Sequence, residues 1–171
     1  RIVSGTPHSS IFKSLSMLGF GRKSLTKLPT ITNRDAVDLI AFENFLKENL
    51  STPIVVIANA GTVNTVDFDD LGAIAKLKSK YNFWLHVDAA FGGFVIPFLK
   101  DLGYDFPKFD FSLPGVDSMT IDPHKMGLAP IPAGCILFKN PDCLDAMAVD
   151  TPYLTYKQQS TIVGTRLGAS S

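Results

Sequence analysis

Two side chains stand apart by their surroundings, Lys125 and Asp88. Lys125 lies in SMTIDPHKMGLAPIPAG, where a His-Lys pair follows an apolar run and precedes a Pro/Gly-rich turn. A lysine in a polar loop is ordinarily a solvated surface charge. Here the apolar, Pro-rich stretch after Lys125 is expected to desolvate it, and burial makes a neutral lysine amine available to attack a carbonyl. Asp88, 37 residues upstream, ends the apolar run of FWLHVDAAFGGF and is followed by Ala89, Ala90 and two glycines. By itself such an aspartate reads as a helix cap or turn residue.

The histidines admit more than one reading. His8, in TPHSS, by itself reads as an ordinary helix-start residue. His124 by itself reads as a packing residue of its loop. His86 and Asp88 are two residues apart, so on a strand they share a face, and with His124 nearby they form a conceivable metal site. Against that site, the His86 run is apolar enough to be expected buried on both faces, and no HExxH or cysteine-rich ligand cluster is present. Thr62, in NAGTVNTVD, is a turn residue or a ligand contact.

Apolar runs alternate with amphipathic stretches along the chain, the pattern of βαβ units and a mostly parallel sheet with flanking helices. HSSIFKSLSMLGFG reads as a helix ending at Gly19 or Gly21, and DLIAFENFLKENL as a helix capped by Asp38 with Leu39, Phe42 and Leu46 on its apolar side. DDLGAIAKLKSKY is the next helix, with Leu71, Ile74 and Leu77 together. PIVVIANA, FWLHVD, VDSMTID and GCILFK read as strands, with Cys135 in the core. Asp88 and the group from Asp122 to Lys125 therefore lie at carboxyl ends of strands, where open α/β sheets bind their ligands.

Composition narrows the class. The chain has 171 residues, 46% of them hydrophobic, and 16 basic against 16 acidic residues. Neutral charge with scattered lysines and arginines argues against nucleic acid as the main partner. The longest apolar stretches fall short of the roughly 20 residues that span a bilayer. Cys135 and Cys143 make neither a CxxC motif nor a disulfide framework, which favours a reducing, cytoplasmic compartment.

The Lys125 and Asp88 segments, with TPHSSIFK near the start and DTPYLTYKQQSTIVGTRLG near the end, resemble the group II amino-acid decarboxylases. These are pyridoxal 5'-phosphate (PLP) enzymes of fold type I, and the wording is most similar to their tyrosine/aspartate decarboxylase branch. The resemblance spans nearly the whole chain. It implies an α/β fold corresponding to the central part of the fold type I large domain. A phosphate-binding loop would precede this part of a longer chain and a smaller domain would follow it, leaving residues 1–171 as one domain fragment. It also implies a homodimer with active sites between subunits, an amino-acid substrate and no membrane anchor.

By the same resemblance, Lys125 holds PLP covalently and Asp88 pairs with its ring nitrogen. Ala90 packs on one ring face and His8 stacks on the other. Thr62 approaches the ring substituents, and His124 contacts the phosphate. Tyr153 returns a proton to the substrate carbon, with Tyr156 as its competitor, and Thr165 lies near the partner subunit's phosphate pocket. A PLP-dependent carbon-carbon lyase of the sphingosine-phosphate lyase type, or a non-catalytic scaffold derived from such enzymes, remains an alternative reading of the same segments.

Overall fold

The structure is a computed structural model and describes residues 1–147. Tyr153, Tyr156 and Thr165 lie outside the described residues. By internal contacts the chain divides into two units, residues 1–137 and 138–171. In the second unit the described residues form a 3-10 helix, Pro141–Met147, with Asp142 N donating to Asn140 Oδ1 at 3.0 Å at its start.

The strands are β1 (Ile2–Ser4), β2 (Leu25–Lys27), β3 (Val55–Asn59), β4 (Trp84–Asp88), β5 (Ser118–Ile121) and β6 (Cys135–Phe138). The helices are α1 (Ser9–Met17), α2 (Leu39–Glu48), α3 (Leu71–Leu77) and α4 (Ile96–Asp101). Strand order is β2-β1-β3-β4-β5-β6, and the pairings among β1 to β5 are all parallel. Each connection from β1 to β5 contains one α-helix, with a 3-10 turn at Arg22–Ser24 added before β2, as parallel neighbours require a crossover. The chain steps from β1 outward to β2, then returns past β1 to β3. That reversal places the topological switch between β1 and β3, where α/β sheets open a crevice at their carboxyl edge.

Local chemistry explains the helices. Asp38 caps α2 by accepting from Ile40 N and Ala41 N at 2.8 and 3.2 Å, and Asp70 caps α3 through Ala73 N at 2.9 Å. α1 ends at Leu18, and Gly19 follows with φ 82°, the left-handed turn that glycine adopts without strain. Phe42 and Leu46 of α2 and Leu71 and Ile74 of α3 are buried in one cluster with Val56, Ala58, Leu85 and Val87 of the sheet. Phe42 meets Phe83 edge-on, with ring centroids 5.8 Å apart. Truncating such a phenylalanine to alanine costs about 3–5 kcal/mol.

Two burial expectations are corrected. β4 is not buried on both faces: Leu85 and Val87 face the core, whereas Trp84, His86 and Asp88 on the other face are only partly buried. Cys135 is likewise only partly buried, because β6 exposes Ile136 and Leu137 rather than packing them into the core. The continuous hydrophobicity of both runs hid the alternation of β4 and the exposure of β6. β1, β2 and α4 were too short to leave a clear period in the sequence.

Candidate active site

Register brings the polar face together. In the parallel ladder Asn59 pairs with Asp88 and Asp88 with Thr120, while Ile57 pairs with His86 and His86 with Ser118. Residues opposite one another in register point to the same face. A cavity of about 600 Å³ opens over the carboxyl ends of these strands, lined by His8, Asn59, Thr62, His86, Asp88, Ala90, Thr120, Asp122, His124 and Lys125. Residues from the ends of β1, β3, β4 and β5 thus converge on the crevice predicted by the strand order. The described residues among those proposed from sequence all line it.

Lys125 sits one short turn beyond β5. Its Nζ lies 2.9 Å from Asp122 Oδ2, and the Lys125 N–H donates to Asp122 O at 3.0 Å, so the DPHK turn folds the lysine back on its own aspartate. The expectation that an apolar segment desolvates Lys125 is corrected. Its side chain is 31% exposed, and Leu128 and Ile131 of the following segment face outward. An ion pair, not burial, holds the amine. Asp122 is the functional candidate that sequence reading undervalued, although its spacing from Lys125 was the available signal.

Asp88 ends β4, and its Oδ1 accepts from Ala90 N at 3.2 Å. Backbone pairing ties this turn to both neighbours: Ala60 N donates to Asp88 O and Ala89 N to Thr120 O. Gly93 completes the support. A Cβ there would lie 2.5 Å from Ile121 Cγ2 and 2.7 Å from Ala89 O, so only glycine lets the segment after Asp88 close against β5.

His8 is the N-cap of α1, with Nδ1 2.8 Å from Ser10 Oγ and 3.2 Å from Ser10 N. Its helix-start role is real, and its ring also lines the cavity. His124 Nδ1 is 2.6 Å from Ala133 O and 3.4 Å from Ala133 N. One nitrogen cannot donate and accept through a single proton, and the shorter contact fixes Nδ1–H as donor to the carbonyl. Nε2 can then donate to an anion only from the doubly protonated ring.

Thr62 is held within its own loop. Its Oγ1 accepts from Asp67 N at 3.1 Å and lies 2.7 Å from Thr65 Oγ1, which donates to Asp35 Oδ2 at 2.8 Å. The loop is anchored by carboxylates. The backbone N–H of Asp35 and then the Arg34 guanidinium hold the Asp67 carboxyl below its usual range. Asp69 accepts from Val37 N and Asn59 N at 2.6 Å each, and burial pushes its carboxyl up against those two donors.

His86 has both ring nitrogens engaged, Nδ1 with Ser118 Oγ at 2.8 Å and Nε2 with Thr120 Oγ1 at 3.0 Å. Burial pushes its pKa down, opposed by the charge of Asp88. Among the described residues, no group of three or more His, Cys, Asp or Glu is arranged to hold a metal ion.

An α/β sheet whose switch-point crevice gathers a lysine, a strand-end aspartate and three histidines is the architecture of fold type I pyridoxal-phosphate enzymes. The model of the pyridoxal-dependent decarboxylase conserved domain matches residues 3–167, and the chain belongs to that family. It is 45% identical over 170 residues to a probable L-tyrosine/L-aspartate decarboxylase of Methanothermobacter thermautotrophicus, covering 99% of this chain and 45% of the relative. It is 46% identical over 171 residues to an L-aspartate/L-glutamate decarboxylase of Pyrococcus horikoshii, covering 99% and 43%. The chain thus spans under half the length of these curated relatives. Among solved structures, the sphingosine-1-phosphate lyase of Burkholderia pseudomallei superposes with a TM-score of 0.74 at 27% identity, over 99% of this chain and 38% of the lyase.

Proposed function

We propose that the protein containing this chain is a PLP-dependent L-amino-acid decarboxylase, acting on tyrosine, aspartate or glutamate. One observation supports this reading most: Lys125 and Asp88, from adjacent strand ends, open into the same cavity with His8, Ala90 and His124 around them. The donor set suits pyridoxal phosphate. It offers an amine for the aldehyde, a carboxylate for the ring N–H, flat or small side chains for the ring faces and an imidazole for the phosphate. When bound, the cofactor supplies an electron sink for the pair released from the substrate's α-carbon.

The chain's own residues do the rest by holding and orienting. Asp122 holds the Lys125 amine near the cavity until the carbonyl arrives. Asp88, at the rigid end of β4, keeps a negative charge where the ring N–H must lie. In α-decarboxylation the bond from the α-carbon to its carboxylate breaks, carbon dioxide leaves, and a proton returns to that carbon to give the amine. Tyr153, with Tyr156 as competitor, is the proposed source of that proton, and Thr165 a contact near the partner subunit's phosphate pocket.

The expected assembly is a cytoplasmic homodimer, and residues 1–171 are read as a fragment of its PLP-binding large domain. No helix among the described residues is long and apolar enough to cross a membrane. The similarity to the sphingosine-1-phosphate lyase structure favours carbon-carbon cleavage as the second reading.

Borohydride reduction of the cofactor-loaded full-length protein, followed by peptide mapping, tests the site. The label is expected on Lys125, and a label on Lys139 instead would overturn the assignment. Product analysis after incubation with amino acids and, separately, with a phosphorylated long-chain amino alcohol separates the two reactions: an amine with carbon dioxide from the former supports decarboxylation, an aldehyde from the latter the lyase.

A further inference from the structure

Trp84, Ser118, His86 and Thr120 occupy the polar face of β4 and β5 and form one continuous hydrogen-bonded chain. Trp84 Nε1 donates to Ser118 Oγ at 2.8 Å, Ser118 Oγ meets His86 Nδ1 at 2.8 Å, and His86 Nε2 meets Thr120 Oγ1 at 3.0 Å. The direction of such a chain follows from which groups can only give. An indole N–H is a donor without acceptor capacity, so Ser118 Oγ must accept from it. Ser118 is 1% exposed, and its own hydroxyl hydrogen has His86 Nδ1 as its acceptor among the described residues. Leaving that hydrogen unpaired in a buried site would carry the desolvation penalty of an unsatisfied donor. Nδ1 therefore accepts, the single ring proton sits on Nε2, and Nε2–H donates to Thr120 Oγ1. The Thr120 hydroxyl hydrogen is then left to point into the cavity that Thr120 lines.

We propose that Trp84 acts as the positioning residue of this chain, fixing His86 as the uncharged Nε2–H imidazole and turning the Thr120 hydroxyl into a hydrogen-bond donor toward the cavity beside Asp88. The consequence is electrostatic. His86 stands two residues from Asp88 on the same face, and Asp88 is also the register partner of Thr120. A charged His86 would divide the Asp88 charge between itself and any bound ring. An uncharged His86 leaves it whole, and the Thr120 donor faces an oxygen of whatever the cavity holds. The other charged groups lining this cavity are Asp35, Asp122 and Lys125, with His8 and His124 as the further imidazoles. Lys125 is paired with Asp122, and Asp35 accepts from Thr65. Burial of the ring works in the same direction as the chain.

The assignment rests on the reading of Asp88 as the ring-nitrogen partner, but its test does not need the cofactor. Full-length protein labelled with ¹⁵N-histidine, in cofactor-free and PLP-loaded forms, reports the tautomer by magic-angle-spinning NMR, with His86 identified by its loss in His86→Gln. At about pH 7, where an ordinary imidazole is mostly neutral but mixed in tautomer, His86 is expected protonated on Nε2 alone in both forms. Trp84→Phe frees Ser118 to accept from Nδ1, and the Nδ1–H population is expected to rise several-fold. If Trp84→Phe fails to fold, Ser118→Ala, which removes the hydroxyl that donates to Nδ1, is expected to raise the Nδ1–H population in the same way. Wild-type His86 carrying its proton on Nδ1, a charged His86 at that pH, or a tautomer unmoved by the substitution that folds would each overturn the proposal. A missing borohydride label at Lys125 with the Nε2–H tautomer intact would instead refute the cofactor reading and leave this chain standing.

Discussion

Asp88 owes its usefulness to being a strand-end carboxylate whose neighbours leave its charge in place. Ala90 N donates to Oδ1, and burial pushes the pKa of the nearby His86 imidazole down against the charge of Asp88. Asp88→Asn keeps the shape and removes the charge. In the full-length enzyme it is expected to lower kcat by two or more orders of magnitude while leaving circular dichroism unchanged, each tenfold loss corresponding to about 1.4 kcal/mol of transition-state stabilisation. Steady-state kinetics against tyrosine and aspartate check this, and an unchanged kcat would remove Asp88 from the mechanism. Asp122→Asn acts one residue group away. Loss of the 2.9 Å ion pair is expected to slow cofactor capture by Lys125, read as a lower rate of absorbance change when apoenzyme is mixed with PLP.

At the scale of elements, the loop from Gly61 to Asp69 decides where the carboxyl edge of β3 ends. Its two inner carboxylates do different work from the site carboxylates. Asp69 uses one oxygen for Val37 N and the other for Asn59 N, which ties the entry to α2 to the end of β3. Asn at this position would set an NH₂ against one of two backbone donors, and Asp69→Asn is expected to destabilise the fold by about 1–3 kcal/mol. Urea unfolding of the full-length protein reads it. Val66 in the same loop has φ 55°, a left-handed conformation that a β-branched residue adopts at a cost of about 1–2 kcal/mol. Glycine relieves that strain but returns about 0.4–1 kcal/mol of unfolded-chain freedom. Val66→Gly is therefore expected to raise the midpoint slightly, and a lowered midpoint would mean that the exposed side chain contributes packing the strain argument omits.

For the whole molecule, the buried and paired titrating groups set a pH profile with a definite sign. His86 is depressed in the folded state, so the unfolded chain takes up its proton first. Its stabilising contribution is whole above about 6.5 and is lost as pH falls through the lower folded-state value. Asp67, also depressed, contributes above about 3.9 and loses that contribution as pH falls further. Asp69 runs the other way: raised by burial, it contributes most below about 3.9, and that contribution fades as pH rises through its folded-state value. Thermal unfolding of the full-length protein between about pH 7 and 5 should thus show a falling midpoint that His86→Gln flattens. Equal slopes for the two proteins would show that His86 does not titrate with unfolding.

The sequence by itself determined the elements that local chemistry specifies. Asp38 and Gly19 bound their helices through a cap and a left-handed turn, and Phe42, Leu46, Leu71 and Ile74 fall on the buried sides that their spacing required. Lys125 and Asp88 were legible as site candidates because a charged residue ending an apolar run has few structural reasons to be there. Burial was harder to read. A continuous apolar run does not reveal that β4 alternates between core and cavity, nor that the segment after Lys125 faces outward. Only the tertiary structure decided these, through strand register and order, which set residues far apart in sequence side by side. The pairing of His86 with Ser118 and of Asp88 with Thr120 depends on one residue of register, and a slip by one would turn every one of these side chains to the opposite face. The Trp84 to Thr120 chain exists because β4 and β5 are neighbours in that register, a fact no local pattern encodes.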